Sequence, residues 1–173
     1  MLRVAIDGPG GTGKSTIAKA VAEIMSLEYI DTGAMYRSIA LKCLRSDVAV
    51  DDEAGVEKLL KTTEIDFVNN RLMLDGEDVS AFIRTNEVSM AASTVSKIKA
   101  VREKVNLLNR HLASTRNVIM DGRDIGTNVI KDAEVKIFMT ADPKVRAQRR
   151  YDQLVAAGKD ADFDTIFREI EES

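Results

Sequence analysis

Four short runs of the chain are apolar almost throughout: residues 2–6, 28–30, 118–120 and 135–139. Little alternation with polar residues means strands covered on both faces. Between them the apolar positions recur at helical spacing. Lys14 to Met25 carries Ile17, Val21, Ile24 and Met25, which predicts a helix resting on that face. Residues 34–45 predict a second helix. Residues 51–62 predict a third, with Val56, Leu59 and Leu60 apolar and Asp51-Asp52-Glu53 as its charged start. Ile65–Val68 and Leu72–Leu74 flank Asn69-Asn70, a hairpin signal. From 86 to 114, Val95, Ile98, Val101, Val105, Leu108 and Leu112 fall three and four apart, giving one long helix or a broken pair. Pro143 opens a basic helix, and residues 163–171 predict the last one.

Apolar strands separated by helices imply an α/β fold with a parallel sheet flanked by helices. The hairpin and helices of residues 47–115 form an insertion between the second and third sheet strands. Residues 1–46 and 116–141 make the core, and 142–173 a helical segment after it. At 173 residues this is one domain with insertions.

Composition narrows the function. The net charge of −3 gives no reason to expect nucleic acid or an acidic membrane as partner. One cysteine, Cys43, excludes an intramolecular disulfide and a zinc site of paired cysteines. Cys43 reads as a packing residue, and the one histidine, His111, as a helix-surface residue. No apolar run reaches the length of a membrane span, and Asp7 with its neighbouring glycines breaks the first run too early for a signal peptide. The expectation is a cytoplasmic monomer acting on small molecules.

The chemistry starts at GPGGTGKST, residues 8–16. Gly8, Pro9, Gly10, Gly11, Thr12, Gly13, Lys14 and Ser15 match G-x-x-x-x-G-K-[ST] in full, with a strand before and a helix after. Backbone N–H groups of such a loop turn inward as an anion nest, and the helix N-terminus adds positive potential. Lys14 reaches the β- and γ-phosphates, and the Ser15 hydroxyl is placed for Mg²⁺. A glycine-rich turn with no ligand is the plain alternative; motif and context together outweigh it. The ligand is a nucleoside triphosphate.

Two further clusters leave strand ends, where an open α/β sheet places its ligand crevice. Asp31-Thr32-Gly33-Ala34-Met35-Tyr36-Arg37 brings an arginine fork suited to a phosphate. Asp121-Gly122-Arg123-Asp124 brings two carboxylates and another arginine. A carboxylate here can hold Mg²⁺ through water. The helix after Pro143 carries Arg146, Arg149 and Arg150, and movable arginines neutralise charge during phosphoryl transfer. Each cluster alone also reads as a solvated polar surface.

Together the stretches IDGPGGTGKST, DTGAMYR, LDGEDVSAFIRTNEVSMAAS and DGRDIGTNVIKDAEVKIFMTA closely resemble the bacterial cytidylate kinases, P-loop nucleoside monophosphate kinases, from Val4 to about Glu171. The phosphate loop is shared by many enzymes; the other stretches are much narrower. The resemblance implies transfer of a phosphoryl group from ATP, with Mg²⁺, to CMP or dCMP. Gly8 to Thr16 would hold the ATP phosphates. Thr32, Tyr36, Arg37 and Arg123 would line the monophosphate site, with Arg84 near it. Ser93, Arg102 and Asp124 match the cytosine-reading positions. Arg146, Arg149 and Arg150 match lid arginines, and residues 47–115 match the monophosphate-binding lobe.

The family continues past this chain's Glu171-Glu172-Ser173 with an arginine- and aspartate-rich stretch, a final strand and a helix. The expectation is therefore an incomplete sheet: either the chain is a fragment whose sheet edge is exposed, or another element covers that edge. Two alternatives stay open: a P-loop kinase for another small acceptor, and a non-catalytic nucleotide-binding protein. A GTPase switch is disfavoured, because the guanine-reading N-K-x-D pattern is absent.

Overall fold

The fold was analysed in a computed structural model that describes residues 1–172. Ser173, the last residue of the expected helical segment 142–173, lies outside the described residues. Four parallel strands, β1 (Arg3–Asp7), β2 (Glu28–Asp31), β6 (Val118–Gly122) and β7 (Val135–Phe138), stand in the order β2-β6-β1-β7. The phosphate-loop strand β1 thus stands inside the sheet, between β6 and β7. Helices α1 (Lys14–Met25), α2 (Thr32–Arg45), α3 (Glu53–Leu60), α4 (Asn86–Val95), α5 (Lys99–Thr115), α6 (Pro143–Ala156) and α7 (Phe163–Glu172) complete the chain.

The strand period of two explains why both sheet faces are covered. Val4, Ile6, Tyr29 and Ile119 share a smaller core with α1, while Ala5, Ile30, Val118 and Met120 join the larger core with α2, α4 and α5. In register, Ala5 lies opposite Met120 and Ile6 opposite Asp121, so β1 and β6 end side by side at the same rim.

Local chemistry fixes the helix starts. The Asp31 carboxylate accepts from the Ala34 N–H at 3.0 Å and caps α2, so that helix begins at Thr32, two residues earlier than predicted. Asp52 caps α3 and Thr85 caps α4 in the same way, and Asp142 with Pro143 opens α6. The predicted stretch 86–114 is a broken pair, interrupted between Val95 and Lys99. The hairpin forms as predicted from β3 (Ile65–Val68) and β4 (Arg71–Leu74). Asn69 and Asn70 both have positive φ, 51° and 61°, as a tight hairpin turn requires. A short third strand, β5 (Glu77–Asp78), adds to β4 and makes an antiparallel sheet separate from the main one.

Two packing expectations are corrected. Helix α1 buries Ala18 and Ala22, whereas Ile17, Ile24 and Met25 are 45%, 82% and 52% exposed. The alanine face lets the helix lie close on β1 and β6, and the larger side chains point away from it. Strand β7, expected to be covered on both faces, leaves Ile137 and Phe138 41% and 68% exposed. Among the described residues it pairs only with β1 and so forms an uncovered sheet edge, the exposed edge of the first of the two expected alternatives. Cys43 is fully buried and His111 is exposed on α5, as expected. No helix among the described residues is long and apolar enough to cross a membrane.

Candidate active site

The site is built where β1, β2 and β6 end. After Asp7 the chain turns into the phosphate loop, and Gly8 makes this possible. Its φ is 147°, and a side chain there would run into the backbone carbonyl of Met139. The buried Asp7 carboxylate accepts from the N–H groups of Ile125 (2.7 Å) and Gly126 (2.8 Å). It thereby anchors a π-helical turn, Ile125–Val129, that the sequence did not reveal. These two bonds hold the turn that follows Arg123-Asp124 against the end of β1.

Within the loop the Thr12 hydroxyl donates to the Pro9 carbonyl at 3.0 Å, and the Lys14 ammonium donates to the same oxygen at 3.3 Å. Burial lowers the Lys14 pKa, and Asp121 and Asp7 partly offset this. Ser15 and Thr16 open α1 at the surface. From α6, Arg146 donates to the Gly10 carbonyl (2.9 Å) and Arg149 to the Gly11 carbonyl (3.1 Å), so two of the three α6 arginines already touch the loop. Arg150 is solvent-exposed.

Beside the loop lies a cleft of about 620 Å³ whose walls include Lys14, Thr32, Tyr36, Arg37, Arg102, Asp121, Gly122, Arg123 and Asp124. Arg37 and Arg123, 86 positions apart in the sequence, thus share one cavity. Arg37 holds Asp31 at 3.0 Å, and its Nε is buried without a partner. The Thr32 hydroxyl donates to the Asp121 carbonyl (2.9 Å), tying α2 to β6. Larger hollows of about 750 and 910 Å³ lie elsewhere, and neither is lined by a residue of the phosphate loop.

Two of the residues expected at the acceptor site fall outside the cleft. Arg84 is exposed and lines the neighbouring 750 Å³ hollow with Arg71 and Asp78. Ser93 is exposed on α4, and Ser96, one turn later, lines the cleft instead. Asn106 and Asn109 also line it and were not anticipated.

Asp121 is electrostatically perturbed at the centre of the site. Burial and the nearby Asp31 push its carboxyl up to about 6, while a 3.1 Å hydrogen bond from the Tyr29 hydroxyl and the Lys14 charge act the other way. A carboxyl with a raised folded pKa keeps a proton that the unfolded chain has already released. Its contribution to stability is therefore present at low pH and lost as pH rises through about 6. Asp121→Asn cannot titrate. Without nucleotide or divalent cation, its stability relative to wild type should rise by on the order of 1 kcal/mol between pH 5 and pH 8. Urea denaturation at the two pH values measures this, and a pH-independent difference would contradict the assignment.

Comparison with known proteins agrees with this geometry. A family model described as cytidylate kinase matches residues 4–173. The cytidylate kinase of Chloroherpeton thalassium is 48% identical, over 96% of this chain and 74% of its own length. That of Pelotomaculum thermopropionicum is 47% identical, over 98% of this chain and 77% of its own length. In structure, a shikimate kinase from Bacteroides thetaiotaomicron superposes with a TM-score of 0.50 at 15% identity, over 99% of this chain and 75% of that one. This last likeness concerns the fold alone. A phosphate loop, an arginine-lined cleft at the same sheet rim and near-complete coverage by one family model lead to one assignment: the chain belongs to the cytidylate kinase family.

Proposed function

We infer that this protein transfers the γ-phosphoryl group of ATP to CMP or dCMP, yielding ADP and the diphosphate. The observation that carries the reading is the cleft itself. It joins Lys14 of the phosphate loop to Arg37 and Arg123, and it extends to Arg102 and Asp124, a cation and a carboxylate suited to a base. Curated relatives named cytidylate kinase, 42–50% identical, support the same acceptor.

In this reading the N–H groups of residues 8–16 and Lys14 hold the triphosphate, and Lys14 stays with the γ-phosphoryl group as it moves. Arg37 and Arg123 clamp the acceptor phosphate in line with it. Arg37 lines the cleft and its buried Nε has no partner within the protein, which supports this role. Arg146, Arg149 and Arg150 act as lid arginines; the bonds of the first two to loop carbonyls put them within reach of the phosphates. Residues 47–115 act as the acceptor lobe around a core of 1–46 and 116–141, and 142–173 as the lid. Catalysis here is positioning and charge neutralisation, and no histidine is needed.

Mg²⁺ fits the donor set. Among the described residues no cluster of three carboxylate, histidine or cysteine side chains could cage a metal. Mg²⁺ is commonly held by substrate phosphates, waters and one or two protein oxygens instead. Ser15 and, through water, Asp121 are the residues that would hold it, and a divalent charge would favour the ionised form of Asp121. Bound there, the metal would neutralise phosphate charge.

Purified protein with ATP, Mg²⁺ and a panel of nucleoside monophosphates tests the reading. ADP release should depend on CMP or dCMP, with AMP, GMP and UMP far poorer acceptors. Equal turnover of all acceptors, or of none, would overturn it.

A further inference from the structure

Among the described residues two buried side-chain polar atoms lack a hydrogen-bond partner: Nε of Arg37 and Oδ1 of Asn109. Both residues line the cleft beside the phosphate loop. Two residues of the cleft wall thus each carry a buried polar atom without a partner, one a donor and the other an acceptor. Arg37 is accounted for by the acceptor phosphate. Asn109 is not used by the mechanism above.

Asn109 stands in an apolar stripe. Val101, Val105 and Leu112 on the same helix are each 1% exposed or less, and Asn109 is itself 1% exposed. A buried amide oxygen with no partner costs the free protein stability, a cost an apolar side chain would not carry. Arg102, Asn106 and Asn109 fall four and three apart, so one face of α5 lines the cleft. Arg102 and Asn109 lie about 10 Å apart along the helix axis, the scale of a nucleoside. Asp124 lines the same cleft from the loop after β6. A cytosine amino group carries two hydrogens, and a site that reads it fully needs two acceptors.

We propose that Asn109 is a base-reading residue, whose carbonyl oxygen accepts one hydrogen of the acceptor's exocyclic amino group while Asp124 accepts the other. The proposal rests on the cytidine-phosphate reading. Uracil has a carbonyl at that position, so the Asn109 amide would have to turn end for end to meet it and would give up the orientation that suits cytosine.

The test uses the full chain and Asn109→Leu, with Asn109→Ala as a second variant should leucine disturb packing. The readouts are kcat/KM for CMP and for UMP, KM for ATP, and the thermal midpoint of the ligand-free protein. In the variant, kcat/KM for CMP should fall by about tenfold, as for one buried hydrogen bond, with UMP unchanged or improved. KM for ATP should stay within about twofold, because the triphosphate occupies the loop. The thermal midpoint should hold or rise, since an unpartnered polar atom has been removed. CMP and UMP falling together would overturn the proposal, as would an unchanged ratio in both variants. A lowered midpoint with an unchanged ratio would make Asn109 a packing residue. A wild type without preference for CMP over UMP would defeat the parent reading. A wild-type preference that survives in the variants defeats this inference alone.

Discussion

Replacing Lys14 by alanine should lower kcat by roughly two to three powers of ten while leaving the fold intact. Both halves follow from the geometry. The ammonium is at the first turn of α1 and lines the cleft as well as belonging to the phosphate loop, so it faces both substrates. Its one hydrogen bond among the described residues is to the Pro9 carbonyl at 3.3 Å, a weak tether. Burial works against its charge, so the free protein bears a cost that bound phosphate relieves. Removing the side chain leaves Thr12–Pro9 and the Asp7 anchor of the π turn in place. The γ-phosphoryl group then moves without its fixed positive charge. Turnover at saturating ATP and Mg²⁺ is the measurement, with the thermal midpoint as control. Near-normal kcat in a folded variant would remove Lys14 from the mechanism.

The parts of this site that the sequence made legible are those where chemistry is written locally. The phosphate loop, the cluster from Asp31 to Arg37 and the cluster from Asp121 to Asp124 each sit within a few residues, directly after apolar strands. Their meeting at one rim follows from parallel pairing, since Ile6 stands opposite Asp121 and Asp31 also stands opposite Asp121.

Residues whose role depends on packing were harder to read. Helix α1 was oriented by its largest apolar residues, yet close contact with the sheet selects Ala18 and Ala22. The π turn after Asp124 depends on Asp7, 118 residues from its partner Ile125, and no local signal announces it. Strand β5 is two residues long and carries too short a pattern. Arg84 and Ser93 were carried over by resemblance, and the structure sets both outside the cleft. Asn109 did leave a trace: it follows Val105 by four residues and so interrupts a buried stripe with an amide. A polar residue in an otherwise apolar helical stripe is the signal that would have found it.

Asp124→Asn should cost CMP on the order of a hundredfold in kcat/KM and narrow the gap between CMP and UMP by one to two powers of ten. Asp124 precedes the π turn; its backbone carbonyl accepts from the Asn128 N–H at 2.9 Å, and its carboxylate accepts from the Asn128 side chain at 3.2 Å. The backbone bond is independent of the side chain, so the turn survives the substitution. An ionised carboxylate only accepts, which matches the amino group of cytosine and opposes the carbonyl of uracil. Asparagine can also donate, so it weakens the first match and removes the second conflict. Tyr36, Arg102 and Asp124 line the same cleft. Arg123 is the neighbouring residue, and damage to it would lower both substrates alike. The ratio separates the two effects. The decisive measurement is therefore kcat/KM for CMP over UMP in wild type and in Asp124→Asn: a wild-type ratio far above one that falls by at least tenfold in the variant supports a cytosine-reading cleft, and a ratio that stays unchanged contradicts it.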